Sequence, residues 1–162
     1  STPHLVGSVL GKLAGIDFTH IAYRGDAPGL QDLMGGQVAA YSTVLGSYLP
    51  HLKSGRLRLL AVSGTERSSF APDLPTYREQ GFALDMTEWF GVFVPARTPA
   101  ATVQRVADAM RAAVAQPDFV RGLAEFGMTA RSSTPQELVT RLRAEAEQWR
   151  VHVKNIGFTA DT

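Results

Sequence analysis

No cysteine occurs in the chain. That excludes disulfides, thiolate metal sites and cysteine nucleophiles, and it fits a periplasmic protein without demonstrating one. Charge of one sign is equally scarce: 16 Lys and Arg stand against 15 Asp and Glu, a net charge of +1. With no basic run and no aromatics interleaved with Arg, the electrostatic footprint of a nucleic-acid binder is missing. No apolar run approaches the roughly 20 residues of a membrane-spanning helix. His4, His20, His51 and His152 show neither His-x-x-x-His nor Glu-x-x-His spacing, so no metal is expected. A Gly-x-Ser-x-Gly elbow is lacking too. The nearest run, Leu45–Gly46–Ser47–Tyr48–Leu49, falls inside an expected helix. The Gly7–Lys12 run has the flavour of a phosphate loop, but its spacing is wrong and it sits mid-helix. No paired carboxylates stand out. The chain is therefore read as a non-enzyme without a cofactor. It opens on Ser1 rather than Met, from which we expect either a removed leader or a piece of something longer.

What is present is the composition of a soluble globular protein, 44% hydrophobic and 19% charged over 162 residues. That length suffices for one good core or two small lobes. The central stretch is Phe18–Val38. β-Branched and aromatic residues predict a strand over 18–23, Arg24–Gly25–Asp26 a tight loop, and Ala27–Met34 a helix with Pro28 in its first turn. Asp26 is placed to cap that helix. A helix start at a strand's carboxyl end aims free N–H groups and a partial positive charge into the crevice, which favours an anion. Upstream, Ser1–Thr2–Pro3–His4 begins a helix that Gly15 ends. Downstream, strands are expected over 37–42 and 57–62 with a helix over 44–53 between them, closed by Ser54–Gly55. The alternation of helix and strand argues for parallel pairing.

After a loop over 63–75, Thr76–Gln80 forms a short helix closed by Gly81, and 86–94 reads as a strand. Beyond Pro95 three helices are expected. Thr98–Pro99 opens the first, Pro117–Asp118 the second, and the capping box Thr134–Pro135–Gln136–Glu137 the third, with Leu138, Leu142 and Trp149 as an apolar stripe.

Three polar groups precede helices: Ser1–Thr2, Arg24–Gly25–Asp26 and Tyr41–Ser42–Thr43. Each alone reads as a helix cap. In a parallel sheet all three would gather at one edge, where hydroxyls and helix starts suit a small anion held without chemistry. His4 is read two ways, as ligand contact and as structural residue.

Several runs of this sequence are similar to one family: Tyr23–Arg24–Gly25 with Ala27–Pro28, the Leu49–Pro50–His51–x–Lys53–x–Gly55–x–Leu57–Arg58 run, and Trp89–Phe90–Gly91 with Pro95–Ala96. The chain resembles the tripartite tricarboxylate transporter substrate-binding proteins, the Bordetella uptake gene ("Bug") family, from end to end. The resemblance implies an α/β fold of the periplasmic-binding-protein type II kind, a Venus flytrap of two lobes closing on a small carboxylate-bearing ligand. It implies a periplasmic receptor that delivers its ligand to membrane permease subunits. Residues 1–87 would be the second ligand-binding lobe, and 88–162 the crossing strand with the C-terminal helices of an incomplete first lobe. The expected ligand is a di- or tricarboxylate, an amino acid or an aromatic acid. Carried over by the resemblance, the ligand-binding residues are Ser1, Thr2, His4, Tyr23, Gly25, Asp26 and Ala27, joined by Ser42 and Thr43 from the strand-end reading. Asp26 stands where the family more often has a small residue; facing the cleft, it would repel a carboxylate or bind an amino group. The helices over 98–153 are expected to fold back or to self-associate. A rival reading from another class is a ligand-sensing module that signals to a partner protein.

Overall fold

The computed structural model describes residues 1–157 and divides into two units, Ser1–Glu88 and a second that begins at Trp89. In the first unit, α1 (Thr2–Ala14) begins at Ser1 with Pro in its first turn. It ends at Gly15, whose left-handed backbone (φ 66°) closes it. α2 (Asp26–Met34) follows Gly25. The buried apolar side chains among the described residues are Val6 and Val9 of α1, Leu30 of α2, and Leu74, Leu84 and Met86 of the connecting segments. Burying a side chain such as Leu84 completely is worth about 1.5–3 kcal/mol. Thr76, also buried, forms a reciprocal pair with Glu79. The Glu79 carboxylate accepts from the Thr76 N–H at 2.7 Å and the Thr76 hydroxyl accepts from the Glu79 N–H at 3.1 Å. The Thr76 backbone N–H, then Arg67, and least the Thr76 hydroxyl hold the Glu79 carboxyl below its ordinary range.

Three strand expectations in this unit, over 18–23, 37–42 and 57–62, and a fourth over 86–94, need correction. Among the described residues the only pairing is an isolated parallel bridge between Val62 and Thr76. It rests on Val62 N–H to Pro75 C=O and Tyr77 N–H to Val62 C=O, each 3.0 Å. Strand propensity records fitness for a pleated, half-buried surface, and a ladder also needs a neighbouring strand on that edge. Several apolar residues of these segments stand open: Phe18 is 52%, Ile21 54%, Leu60 63% and Phe90 81% exposed. The helix expected over 44–53 is also absent. Two short 3-10 turns, Leu45–Ser47 and Leu49–His51, take its place. Pro50 explains the break, because it lacks an N–H and disfavours the α conformation at Leu49. The short helix expected over 76–80 is likewise a 3-10 turn, Arg78–Gln80, closed by Gly81 at φ 88°.

The second unit contains α3 (Ala100–Val114), α4 (Pro117–Glu125) and α5 (Pro135–Ile156). α5 carries the expected capping box: Thr134 Oγ1 accepts from Glu137 N–H, and the Glu137 carboxylate accepts from Thr134 N–H at 2.7 Å. Those Thr134 bonds also lower the Glu137 pKa. The half-buried face of α5 runs through Leu138, Leu142, Glu145 and Trp149. Within that stripe Glu145 is the polar member, and it has two partners. Trp89 Nε1 donates to it at 2.6 Å and Arg141 Nε at 2.7 Å, with the Arg141 guanidinium 5.5 Å above the Trp89 ring centre. No side chain of this unit is fully buried among the described residues.

Candidate functional site

The corner between the 18–23 segment and α2 turns on Gly25, at φ 94° and ψ 175°. A side chain is strained at that positive φ, so glycine is required for the turn. α2 starts immediately afterwards. Its opening N–H groups at Gly25, Asp26 and Ala27 have no preceding carbonyl within the helix, and Pro28 has no N–H to leave unpaired. The expectation that Asp26 caps α2 is corrected: Gly25 holds the cap position and no side chain bonds there. The Asp26 carboxylate reaches across to the 41–47 segment instead.

There it collects three hydroxyls. Thr43 Oγ1 donates to Oδ1 at 2.6 Å, Tyr41 OH to the same oxygen at 3.3 Å, and Ser47 Oγ to Oδ2. Tyr41 OH also lies 3.5 Å from the Gly25 carbonyl, and Tyr48 OH donates to the Tyr41 carbonyl at 2.5 Å. Burial is the largest influence on the Asp26 carboxyl and pushes its pKa up. The hydroxyl bonds from Ser47, Thr43 and Tyr41 together outweigh it, so the net shift is downward. Asp26 is therefore ionised at neutral pH.

Helix α2 has a gap that admits Tyr41. A Cβ built on Gly29 would lie 2.4 Å from Tyr41 Cε2 and 2.7 Å from its hydroxyl. α1 uses the same device: a Cβ on Gly11 would meet the Ile16 carbonyl oxygen at 2.8 Å and the Phe18 ring at 2.9 Å. Tyr23 packs edge-on to Tyr41, 5.9 Å between ring centres, and donates to Asp32 Oδ2 at 2.8 Å. Its hydroxyl is thus turned along α2, away from Asp26.

Of the residues expected from sequence, Gly25, Asp26 and Thr43 come together, Ala27 lies in the first turn of α2 beside them, and Tyr23 flanks them. Ser42 is exposed, and no hydrogen bond among the described residues ties Ser42, Ser1 or Thr2 to Asp26. Thr43 and Tyr41, two apart, both face Asp26, which places the intervening Ser42 on the other side of an extended backbone. His4 stacks on His20 with ring centres 3.8 Å apart and 11° between planes. Burial, then His20, then the chain's amino terminus lower the His4 pKa. Tyr41 belonged to the Tyr41–Ser42–Thr43 group expected at the site but was not itself named as a ligand contact, and Ser47 was not anticipated at all. Ser47 looked like a mid-helix residue, and its true signal was Pro50, which breaks that helix. For Tyr41 the signal was Gly29. No group of His, Asp and Glu able to hold a metal occurs among the described residues.

A family profile described as "Tripartite tricarboxylate transporter family receptor" matches residues 1–158. The chain belongs to this family. Among the Bug relatives, BugT of Bordetella pertussis is 29% identical over 158 residues, covering 97% of this chain and 48% of that protein. A solved structure of an R. palustris protein with adipate matches with a TM-score of 0.83 at 30% identity, over 97% of this chain and 53% of the other. The periplasmic binding protein BugD matches with a TM-score of 0.80 at 27% identity, over 97% of this chain and 54% of the other. The fold is accordingly that of a periplasmic binding protein in part. This chain spans about half the length of each of these three proteins, and the Gly25 corner and its hydroxyl cluster lie within the span matched by the family profile.

Proposed function

We propose that this chain is the ligand-contacting second lobe, over 1–87, and the crossing and helical return segment, over 88–162, of an extracytoplasmic solute receptor. The receptor binds a small carboxylate-bearing organic acid and delivers it to the permease of a tripartite tricarboxylate-type transporter. The observation that carries this reading is the family match over 1–158. The Gly25 corner supports it: three backbone N–H groups at the start of α2 suit a carboxylate oxygen without any side-chain chemistry. Adipate in a relative of like fold supports a dicarboxylate-sized ligand. An extracytoplasmic location is supported by BugD, a periplasmic binding protein. The backbone N–H groups of Gly25, Asp26 and Ala27 take the ligand's carboxylate end, with Thr43 beside them, and no catalytic residue is assigned.

Calorimetric titration of the protein, purified as its whole reading frame, tests binding against di- and tricarboxylates, aromatic acids and amino acids. A true ligand at a hundredfold its Kd raises unfolding stability by about 2.7 kcal/mol. If no acid in the panel gives heat or a melting shift, the receptor reading fails. Delivery is tested by uptake: deleting the gene with the permease intact abolishes transport of the acid that binds.

A further inference from the structure

We infer that Asp26 is a specificity-determining residue that fixes which way the hydroxyl protons at the site point, so that the receptor prefers an acid bearing a hydroxyl or ammonium group to the corresponding plain dicarboxylate. The inference rests on the reading of the Gly25 corner as the ligand site.

An ionised carboxylate only accepts hydrogen bonds. Each hydroxyl at bonding distance from Asp26 must then be the donor, and a hydroxyl has a single proton to give. Thr43 Oγ1 and Ser47 Oγ both spend that proton on Asp26. Tyr41 OH has two inward acceptors, Asp26 Oδ1 at 3.3 Å and the Gly25 carbonyl at 3.5 Å. Toward a ligand, these oxygens retain lone pairs only. A hydroxyl-lined pocket without Asp26 would donate to a carboxylate; this one can only accept. Binding of the carboxylate falls to backbone N–H groups, which are donors always. The oxygens of Thr43 and Tyr41, both only partly buried, are left to meet a donor on the ligand. The net negative charge of Asp26 adds to that preference and disfavours a second carboxylate placed against the cluster.

Succinate and malate differ by one hydroxyl, and aspartate replaces it with an ammonium, so the three acids read the polarity directly. Calorimetry on the protein as its whole reading frame is expected to give malate or aspartate at least tenfold tighter than succinate. In Asp26→Asn the amide nitrogen becomes a donor, one hydroxyl must turn its proton outward, and the preference falls about tenfold toward succinate. Thr43→Val removes an acceptor without touching Asp26, and it too lowers the malate-to-succinate ratio while succinate binding persists. A purely structural role for Asp26 would weaken all three acids alike and leave the ratio unchanged, which overturns the inference. Succinate binding as tightly as both other acids overturns it as well, with the receptor reading intact. Binding of no carboxylate at all overturns the receptor reading and this inference with it.

Discussion

Gly29 of α2 lies directly against the ring of Tyr41, with room for a hydrogen and not for a methyl group. The contact carries the Tyr41 hydroxyl to Asp26 and joins α2 to the 41–47 segment. Gly29→Ala should therefore expel the ring. The atoms a methyl group would strike lie at the far end of the Tyr41 side chain, so the ring swings away before the backbone moves. Destabilisation of about 1–3 kcal/mol is expected in urea denaturation, with a loss of near-ultraviolet tyrosine dichroism. Alanine normally improves a helix interior over glycine, so unchanged or greater stability would show that the ring does not sit there.

Acid should weaken the first unit in two steps of the same sign. The folded His4 pKa lies below its ordinary value of 6.5. Between those values the unfolded chain binds a proton that the folded chain refuses, so stability rises with pH. The contribution is whole above 6.5 and is lost as pH falls through the folded value. Asp26 behaves likewise below its ordinary 3.8, because its charged form is the one held by hydroxyls. Melting temperature measured from pH 8 to pH 3 should fall in both windows. His4→Phe should flatten the upper step and Asp26→Asn the lower one. A profile that His4→Phe leaves untouched would place the upper step elsewhere.

In the second unit, Glu145 is held by Trp89 and Arg141 in the otherwise apolar stripe of α5. The pair with Arg141 is partly exposed and weak on its own account. The indole bond is the stronger restraint. Glu145→Ala should cost about 1 kcal/mol. In a Trp149→Phe background, where Trp89 is the sole indole, it should also shift the emission maximum. An unmoved spectrum would mean that the indole N–H is satisfied by solvent.

Thr134→Ala removes the acceptor for Glu137 N–H and half of the capping box. A loss of about 1 kcal/mol is expected, read by thermal melting of the helical signal at 222 nm. Thr134→Ser should restore most of it, since the hydroxyl is what caps. If serine fails as badly as alanine, the methyl group rather than the cap is responsible.

Features with local causes were the legible ones. Gly15 after α1, Pro117 at the start of α4 and the Thr134–Glu137 box each act within a turn of the residue they constrain, so sequence neighbours suffice to read them. Strands over 18–23 and 86–94 have the right residues, but pairing is a relation between distant segments, and no neighbour's register is written into Phe18 or Phe93. The helix expected over 44–53, marked by Ser54–Gly55 at its end, is broken by Pro50 within it. At the site, Gly25 was expected from the family resemblance and Thr43 from its place ahead of an expected helix. What Asp26 does there depended on Ser47, whose approach follows from the break at Pro50.

The glycine gaps in α1 and α2 also bear on the order in which the first unit folds. Phe18 seats on Gly11, and Tyr41 on Gly29, each from the segment that follows its own helix. Contacts so near in sequence close with little loop entropy, and chains rich in them reach their transition state quickly. Each helix can thus gain its aromatic clasp before any distant segment arrives. Substitutions at these two glycines should then slow refolding.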